Sequence, residues 1–241
     1  WRVFSVSNIQ HFLWGSTRHR LHRVPFEWPA RHPSAVRCRI GEKDKWTLRR
    51  SSVGGDARAD CSSLLQCHQL IVSAPYLKEY MCDHAGIPAQ KVMVIPNGIN
   101  IQRFAAPTDA GLRQRIMPGA RRVLVSMGRV STQKRMHLIV EGLGLLKQRQ
   151  ALPGDVELAL VGPVEEPHMQ ALLDDAIQRH DLKNAVHQYA PSDCPEDFFH
   201  ASDVSVLFSK WESLPLVMLE SLAAGRPVII SQEANAAGVI E

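Results

Sequence analysis

From Arg121 onward, short aliphatic runs alternate with longer stretches of helical period, and this alternation narrows the possible architecture more than any other property of the sequence. "RRVLVSMGR" reads as a strand ending at Gly128, "VELALVG" as a strand ending at Gly162, and "AVHQY", "VSVLF" and "PVIIS" as three more. Between them lie "HLIVEGLGLLKQRQ", "PHMQALLDDAIQRH", "PEDFFHA" and the apolar stretch that carries Glu220, all with helical patterning. Strands and helices at this spacing make βαβ units, hence an α/β fold with a Rossmann-like, doubly wound parallel sheet and right-handed crossovers. Such sheets bind ligands beyond the carboxyl ends of their strands. The residues to watch are therefore Gly128 and Arg129, Gly162 and Pro163, Ala190 and Pro191, and Ser209 to Glu212.

Upstream, "HQLIVSA" and "PYLKEYMCDHAG" form one more βα unit, with Pro75 opening the helix and Gly86 closing it. "KVMVIPNGINIQRF" adds a strand over Val92 to Ile95, broken by Pro96 and the Asn97-Gly98 turn. The division expected is a poorly readable basic segment over 1–67, a last βα unit and linker over 68–106, and a Rossmann-like domain over 107–241. Charge is distributed in keeping with it. Of the chain's +4, residues up to 60 contribute ten Arg and two Lys against five acids, while the remainder is net acidic. The basic front has neither aromatic interleaving nor a known binding module, so no specific nucleic-acid partner is expected. Five cysteines at irregular spacing suit free thiols in a reducing, cytoplasmic compartment, and Cys61, Cys67 and His68 lack metal-site spacing. No apolar stretch is long enough to span a bilayer.

Two places carry chemistry. After the first strand of the long series, "MGRVSTQKR" puts Arg129, Lys134 and Arg135 where a helix begins, with Gly128 allowing close backbone approach; diphosphate binding and ordinary solvated cations both fit. No GxGxxG follows any strand, which disfavours a nicotinamide or flavin enzyme. The second place is "WESLPLVMLESLAAGRPVII", where Ser213 and Pro215 read as N-cap and first turn of a helix apolar enough to be buried nearly all round. Glu212 then precedes free backbone N–H groups. Glu220 would lie about 2.2 turns, or roughly 12 Å, further along, where a carboxylate needs partners such as the two hydroxyls of a ribose. A surface acid at 212, and an edge position or an Arg partner at 220, are the alternatives.

Together, "VIPNGINIQRF", "GRVSTQKR", "VGP" and "ASDVSVLFSKWESLPLVMLESLAAGRPVI" resemble, in order and spacing, the retaining glycosyltransferases of the GT-B fold, group 1 or family 4 type, over about residues 68 to 241. The resemblance implies transfer of a sugar from a nucleotide-sugar donor to a glycan, lipid-linked or small-molecule acceptor, with retention at the anomeric carbon. It places the donor diphosphate on Gly128, Arg129 and Lys134, and the distal phosphate at Ser213, Leu214 and Pro215. Glu212 lies beside the donor sugar, Glu220 accepts the ribose hydroxyls, and Ala190 and Pro191 lie near the base; Arg129, Lys134 and Glu212 form the catalytic set. No metal or other cofactor is implied, and peripheral membrane association goes with lipid-linked acceptors. The chain departs from the family in having Arg135 where glycine is common. It is expected to be partial, with only the last βα unit of an acceptor domain recognisable and the C-terminal completion missing. A non-catalytic nucleotide-binding module of a GT-B protein is the runner-up.

Overall fold

The computed structural model describes residues 3–6 and 68–239; the basic stretch, Cys38, Cys61, Cys67 and the early histidines His11, His19, His22 and His32 lie outside the described residues. The chain divides into two compact units, Trp1–Asn97 and Gly98–Glu241.

In the first unit, strands β1 (Val3–Val6), β2 (Gln69–Val72) and β3 (Val92–Val94) form a parallel sheet in that order. Helix α1 (Pro75–Ala85) links β2 to β3; it opens on a proline and closes at Gly86 with φ 65°, a left-handed value that glycine adopts without penalty. Leu77 and Met81 of α1 are buried, as are Leu70, Val72, Ile87 and Val92.

In the second unit, β4 (Arg122–Met127), β5 (Val156–Val161), β6 (Val186–Tyr189), β7 (Val204–Leu207) and β8 (Val228–Ile230) are all parallel, in the order β6-β5-β4-β7-β8. Alternate residues serve opposite faces. Leu158 and Leu160 face the core formed with α4 (Met136–Gln148) and α5 (Pro167–Arg179), where Ile139, Val140, Leu143, Met169 and Leu173 are buried. Val123, Val125, Ala159 and Val161 join Phe104, Met117, Phe198 and Phe199 on the other face, which is lined by α2 (Ile101–Phe104), α3 (Leu112–Ile116), α6 (Pro195–Ala201) and α7 (Leu216–Ala223). Covering both faces lets the strands be apolar throughout. The order reverses between β4 and β7, whose carboxyl ends therefore flank a crevice that neither crossover covers.

Two carboxylates, the buried Asp197 and the partly exposed Asp203, fasten the edges of this unit. Asp203 accepts two bonds from Arg113 (2.9 and 3.0 Å) and one from the Val123 N–H (2.7 Å). Burial alone would raise its pKa, but the Arg113 hydrogen bonds and the Val123 N–H outweigh it and hold the carboxyl below the ordinary range. Asp197 accepts from the Thr108 N–H and hydroxyl and from the Asp109 N–H, which pins the segment between α2 and α3 onto α6.

Two expectations change. The linker expected to end at 106 contains α2, and α3 follows before β4, where no helix was expected; Asn100 caps α2 by accepting from the Arg103 N–H. The helix bearing Glu220 starts at Leu216, with Pro215 rather than Ser213 at its N-cap, and it is not buried all round, since Leu216 and Leu222 are 41% and 45% exposed. A helix in a single layer over a sheet buries only one stripe, here Val217, Met218, Ser221 and Ala224.

The loops after β4 and β5 approach so closely that a Cβ on Gly162 (φ +147°) would stand 1.9 Å from the Gly128 carbonyl oxygen, whereas one on Gly128 (φ +150°) would meet the flexible Lys134 chain at 3.1 Å. Gly162→Ala should therefore destabilise the chain by about 2 kcal/mol or more, and by more than Gly128→Ala does. Urea unfolding of both variants checks the ranking, and equal stabilities would show that the loops yield freely.

Candidate functional site

At the end of β4 the chain turns at Gly128 and enters a loop that delivers three cations. Arg129 is bracketed: Nη1 donates to Glu165 Oε1 (2.5 Å) and Nη2 to Gln133 Oε1 (3.0 Å). Lys134 extends past Gly128, whose missing side chain leaves room for it, and Nζ donates to Glu212 Oε1 at 2.6 Å. Arg135 has φ 48° and ψ 41°, the left-handed backbone that explains a common glycine at this place. Its guanidinium donates to the carbonyls of Phe208 (2.9 Å) and Ser209 (3.0 Å), so it closes the end of β7 rather than standing ready for a ligand.

The loop after β7 supplies the opposing wall. Glu212, Ser213, Leu214 and Pro215 are all buried. Gln133 crosses from the β4 side, its Nε2 donating to the Trp211 carbonyl (3.1 Å) and its own carbonyl accepting from the Lys210 N–H (2.7 Å). At 3% exposure this glutamine is a cross-link between the two loops. Sequence reasoning missed it, because a glutamine inside "STQKR" has the composition of a solvated turn and only its place beside Lys134 hints at more. Glu165 was missed for the same reason.

Helix α7 then starts at Leu216, so its first turn, with the unpaired N–H groups, begins two residues later than expected, after the Ser213-Leu214-Pro215 stretch. Glu212 is outside the helix, and the spacing of Glu212 from Glu220 is not set by helical rise. Glu220 lies in the second turn, half-buried, with no hydrogen-bond partner among the described residues. Burial pushes its pKa above the ordinary glutamate value; Arg103 pulls it down and the neighbouring Glu196 pushes it up. Arg103 cannot fully compensate, being bonded already to Glu196 Oε2 (3.0 Å) and to the Asp193 carbonyl. Asp193 lies in the exposed loop that begins with Ala190 and Pro191 at the end of β6.

The structure thus brings Arg129, Lys134 and Glu212 into one network with Gln133 and Glu165. Glu220 belongs to a second cluster with Arg103 and Glu196, joined to the Ala190-Pro191 loop through Arg103. Among the described residues no three His, Cys, Asp or Glu side chains are grouped to hold a metal ion, and no helix is long and apolar enough to cross a membrane. Cys82 and Cys194 are free thiols.

The family described as glycosyl transferases group 1 matches residues 112–241. The chain belongs to the group 1 glycosyltransferases. Mannosylfructose-phosphate synthase of Agrobacterium fabrum is 25% identical over 174 residues, which cover 68% of this chain and 38% of that enzyme. A D-inositol 3-phosphate glycosyltransferase of Thermobispora bispora is 28% identical over 196 residues, 79% of this chain and 45% of the relative. The crystal structure of Anabaena HepE in complex with UDP and glucose superposes with a TM-score of 0.65 at 24% identity, covering 73% of this chain and 47% of that one. This group 1 chain spans less than half the length of these relatives, and the neighbours share its GT-B fold.

Within the group 1 domain, the Lys134–Glu212 pair is the contact most exposed to loss, with side chains only 13% and 9% accessible. Lys134→Ala leaves a buried carboxylate without its ammonium and should cost about 3–5 kcal/mol, whereas replacing both residues by apolar ones of similar size should restore most of the stability. Chemical denaturation of the single and double variants measures this, and a double variant as unstable as the single would show that burial of the charge is not the source.

Proposed function

We propose that this chain forms the donor side of a retaining, family 4 type hexosyltransferase, with the nucleotide sugar lying across the carboxyl ends of β4, β7 and β6. The observation that carries the reading is the division of the site into two halves. One holds Arg129 and Lys134 beside the buried Glu212, and the other presents the unbonded carboxyl of Glu220 next to the Ala190-Pro191 loop. A nucleoside diphosphate has the same division. Its diphosphate needs cations and helix N–H groups, here Gly128, Arg129, Lys134 and the start of α7 beyond Ser213, Leu214 and Pro215; its ribose diol needs an ionised acceptor, here Glu220.

In transfer, the bond from the anomeric carbon to the diphosphate oxygen breaks and negative charge grows on the leaving nucleoside diphosphate. Arg129 and Lys134 stabilise that charge from fixed positions, without a resident metal or other cofactor in this reading. Glu212, held by Lys134, is placed to fix the orientation of the donor sugar. Retention and family 4 membership rest on the match of Glu212 and Glu220 to the family's pair of glutamates. The bound UDP of HepE makes a uridine diphosphate donor the first to test. A relative from Escherichia coli, 29% identical over 162 residues covering 64% of this chain and 40% of its own, is named UDP-Gal:alpha-D-GlcNAc-diphosphoundecaprenol alpha-1,3-galactosyltransferase, so a lipid-linked acceptor, with the peripheral membrane association it would bring, is to be tested beside glycan and small-molecule acceptors.

Calorimetric titration with UDP, GDP and ADP should show one nucleotide preferred, and Glu220→Ala should weaken it by about 1–3 kcal/mol, the scale of lost hydrogen bonds to a charged group. Unchanged affinity in the variant would remove Glu220 from the ribose site. Binding without sugar transfer to any acceptor would turn the reading toward a nucleotide-binding module.

The raised pKa of Glu220 adds a pH signature. As pH falls through its folded value, above the ordinary glutamate range, the ionised acceptor is lost, so nucleotide affinity should fall there and Glu220→Gln should flatten the profile. Folding stability should respond in the opposite sense, because protonation relieves the burial: this group's contribution is present in acid and lost as pH rises through the folded value. Affinity and stability curves moving together would refute the assignment.

A further inference from the structure

Two cations and two acids meet at the strand-end crevice, and they are matched one to one: Arg129 with Glu165, Lys134 with Glu212. The formal charges of these four side chains sum to zero, so a diphosphate that reaches Arg129 and Lys134 finds both cations already paired. For an anion to be held there, one pair has to open. Burial decides which. The Lys134–Glu212 side chains are 13% and 9% exposed, and a carboxylate left buried without its cation is strongly unfavourable. The Arg129–Glu165 side chains are 37% and 42% exposed, and an exposed pair is weakened by water and salt and contributes little. Only the second is cheap enough to exchange for a phosphate oxygen.

The Arg129–Glu165 contact is nevertheless built by the fold. Val130 donates to the Pro163 carbonyl (2.9 Å), Glu165 donates from its N–H to the Val130 carbonyl (3.2 Å), and Val130 and Val164 form a parallel bridge. These bonds register the loop after β5 against the loop after β4, and the close passage of Gly162 over Gly128 allows it. Glu165 is thereby fixed next to Arg129 by backbone. The adjacent Glu166 is turned elsewhere, onto the Thr132 N–H (3.2 Å) and hydroxyl (2.5 Å). Arg129 keeps its second anchor, Gln133 Oε1, on a buried side chain, so breaking the Glu165 contact leaves the guanidinium still held toward the crevice.

We propose that Glu165 is a positioning residue that occupies Arg129 in the free chain and is exchanged for the diphosphate of the donor, so that its carboxylate sets how strongly the site holds an anion. The proposal rests on the donor-site reading given above. Glu165 acts as a tethered competitor: it presents Arg129 in one orientation, weakens capture of stray phosphate, and returns to Arg129 when the nucleoside diphosphate leaves.

The test is calorimetric titration of the wild type, Glu165→Gln, Arg129→Ala and the double variant with UDP, GDP, ADP and the matching nucleosides, with circular dichroism to confirm folding. Glu165→Gln should bind the preferred nucleoside diphosphate about two- to fivefold more tightly, the range that an exposed ion pair supports. The bare nucleoside should bind unchanged, and the gain should vanish when Arg129 is already alanine. Unchanged or weaker diphosphate binding by Glu165→Gln overturns the competition while leaving the donor site in place. A gain that persists without Arg129 overturns the contact as its route. Failure of every folded chain, wild type included, to bind any of the three diphosphates overturns the donor-site reading and the competition with it.

Discussion

A buried ammonium meets a buried carboxylate between the loops after β4 and β7, and the arrangement of the crevice depends on that contact. The sheet order alone leaves the two strand ends free to splay, since their crossovers depart to opposite faces. Lys134 and Glu212 close the gap at 2.6 Å, and Gln133 repeats the connection with an amide in place of a charge. Arg135 adds a third link by capping the carbonyls at the end of β7. Three successive residues of one short loop thus bind the other wall of the crevice. A loop so constrained presents Arg129, four residues upstream, with little freedom left to lose on binding.

The second constraint is steric. Gly128 and Gly162 end neighbouring strands with φ near +150°, and one passes over the carbonyl of the other at a distance that no side chain would permit. That passage lets the β5 loop run alongside the β4 loop as a short continuation of the sheet, and it delivers Glu165 and Glu166 to Arg129 and Thr132. Glycine here serves backbone against backbone. The sequence suggested a different use, close approach of a ligand, because a strand-end glycine looks the same in either case.

Much of the fold was legible because doubly wound sheets write themselves in period: strands buried on both faces are runs of aliphatics, and crossover helices fill the intervals. Each of the five strands of the second unit falls in a run read from the sequence alone. The short helices α2 and α3 were illegible for a physical reason, since four or five residues are too few for a helical period to show and their stability comes from Asp197, Asp203 and Glu196 far along the chain. The helix bearing Glu220 was misplaced because "ESLP" offers a serine cap and an N-terminal proline, while tertiary packing starts the helix one residue after that proline. Its apolar residues overstate its burial; propensity and hydropathy cannot tell a helix enclosed on every side from one lying in an outer layer.

The two glutamates of "ESLPLVMLE" end in opposite electrostatic surroundings, and the difference follows from position. Glu212 stands outside the helix, within reach of an ammonium on the facing loop. Glu220 stands in the second turn, where the positive end of the helix dipole has faded, and its nearest cation is already committed to Glu196. One acid is therefore satisfied by the protein and the other is not. A half-buried carboxylate without hydrogen-bond partners among the described residues is a cost to the free chain, and in the site proposed above the vicinal hydroxyls of a ligand would remove it. The same logic runs in reverse at Arg129, where the protein supplies its own counter-ion, Glu165, which in the exchange proposed above a ligand would replace. Under these two proposals selectivity would come from the combination, since a molecule would have to offer both the hydroxyls that Glu220 lacks and enough negative charge to displace Glu165, and a diphosphate or a nucleoside alone would meet only one of these demands.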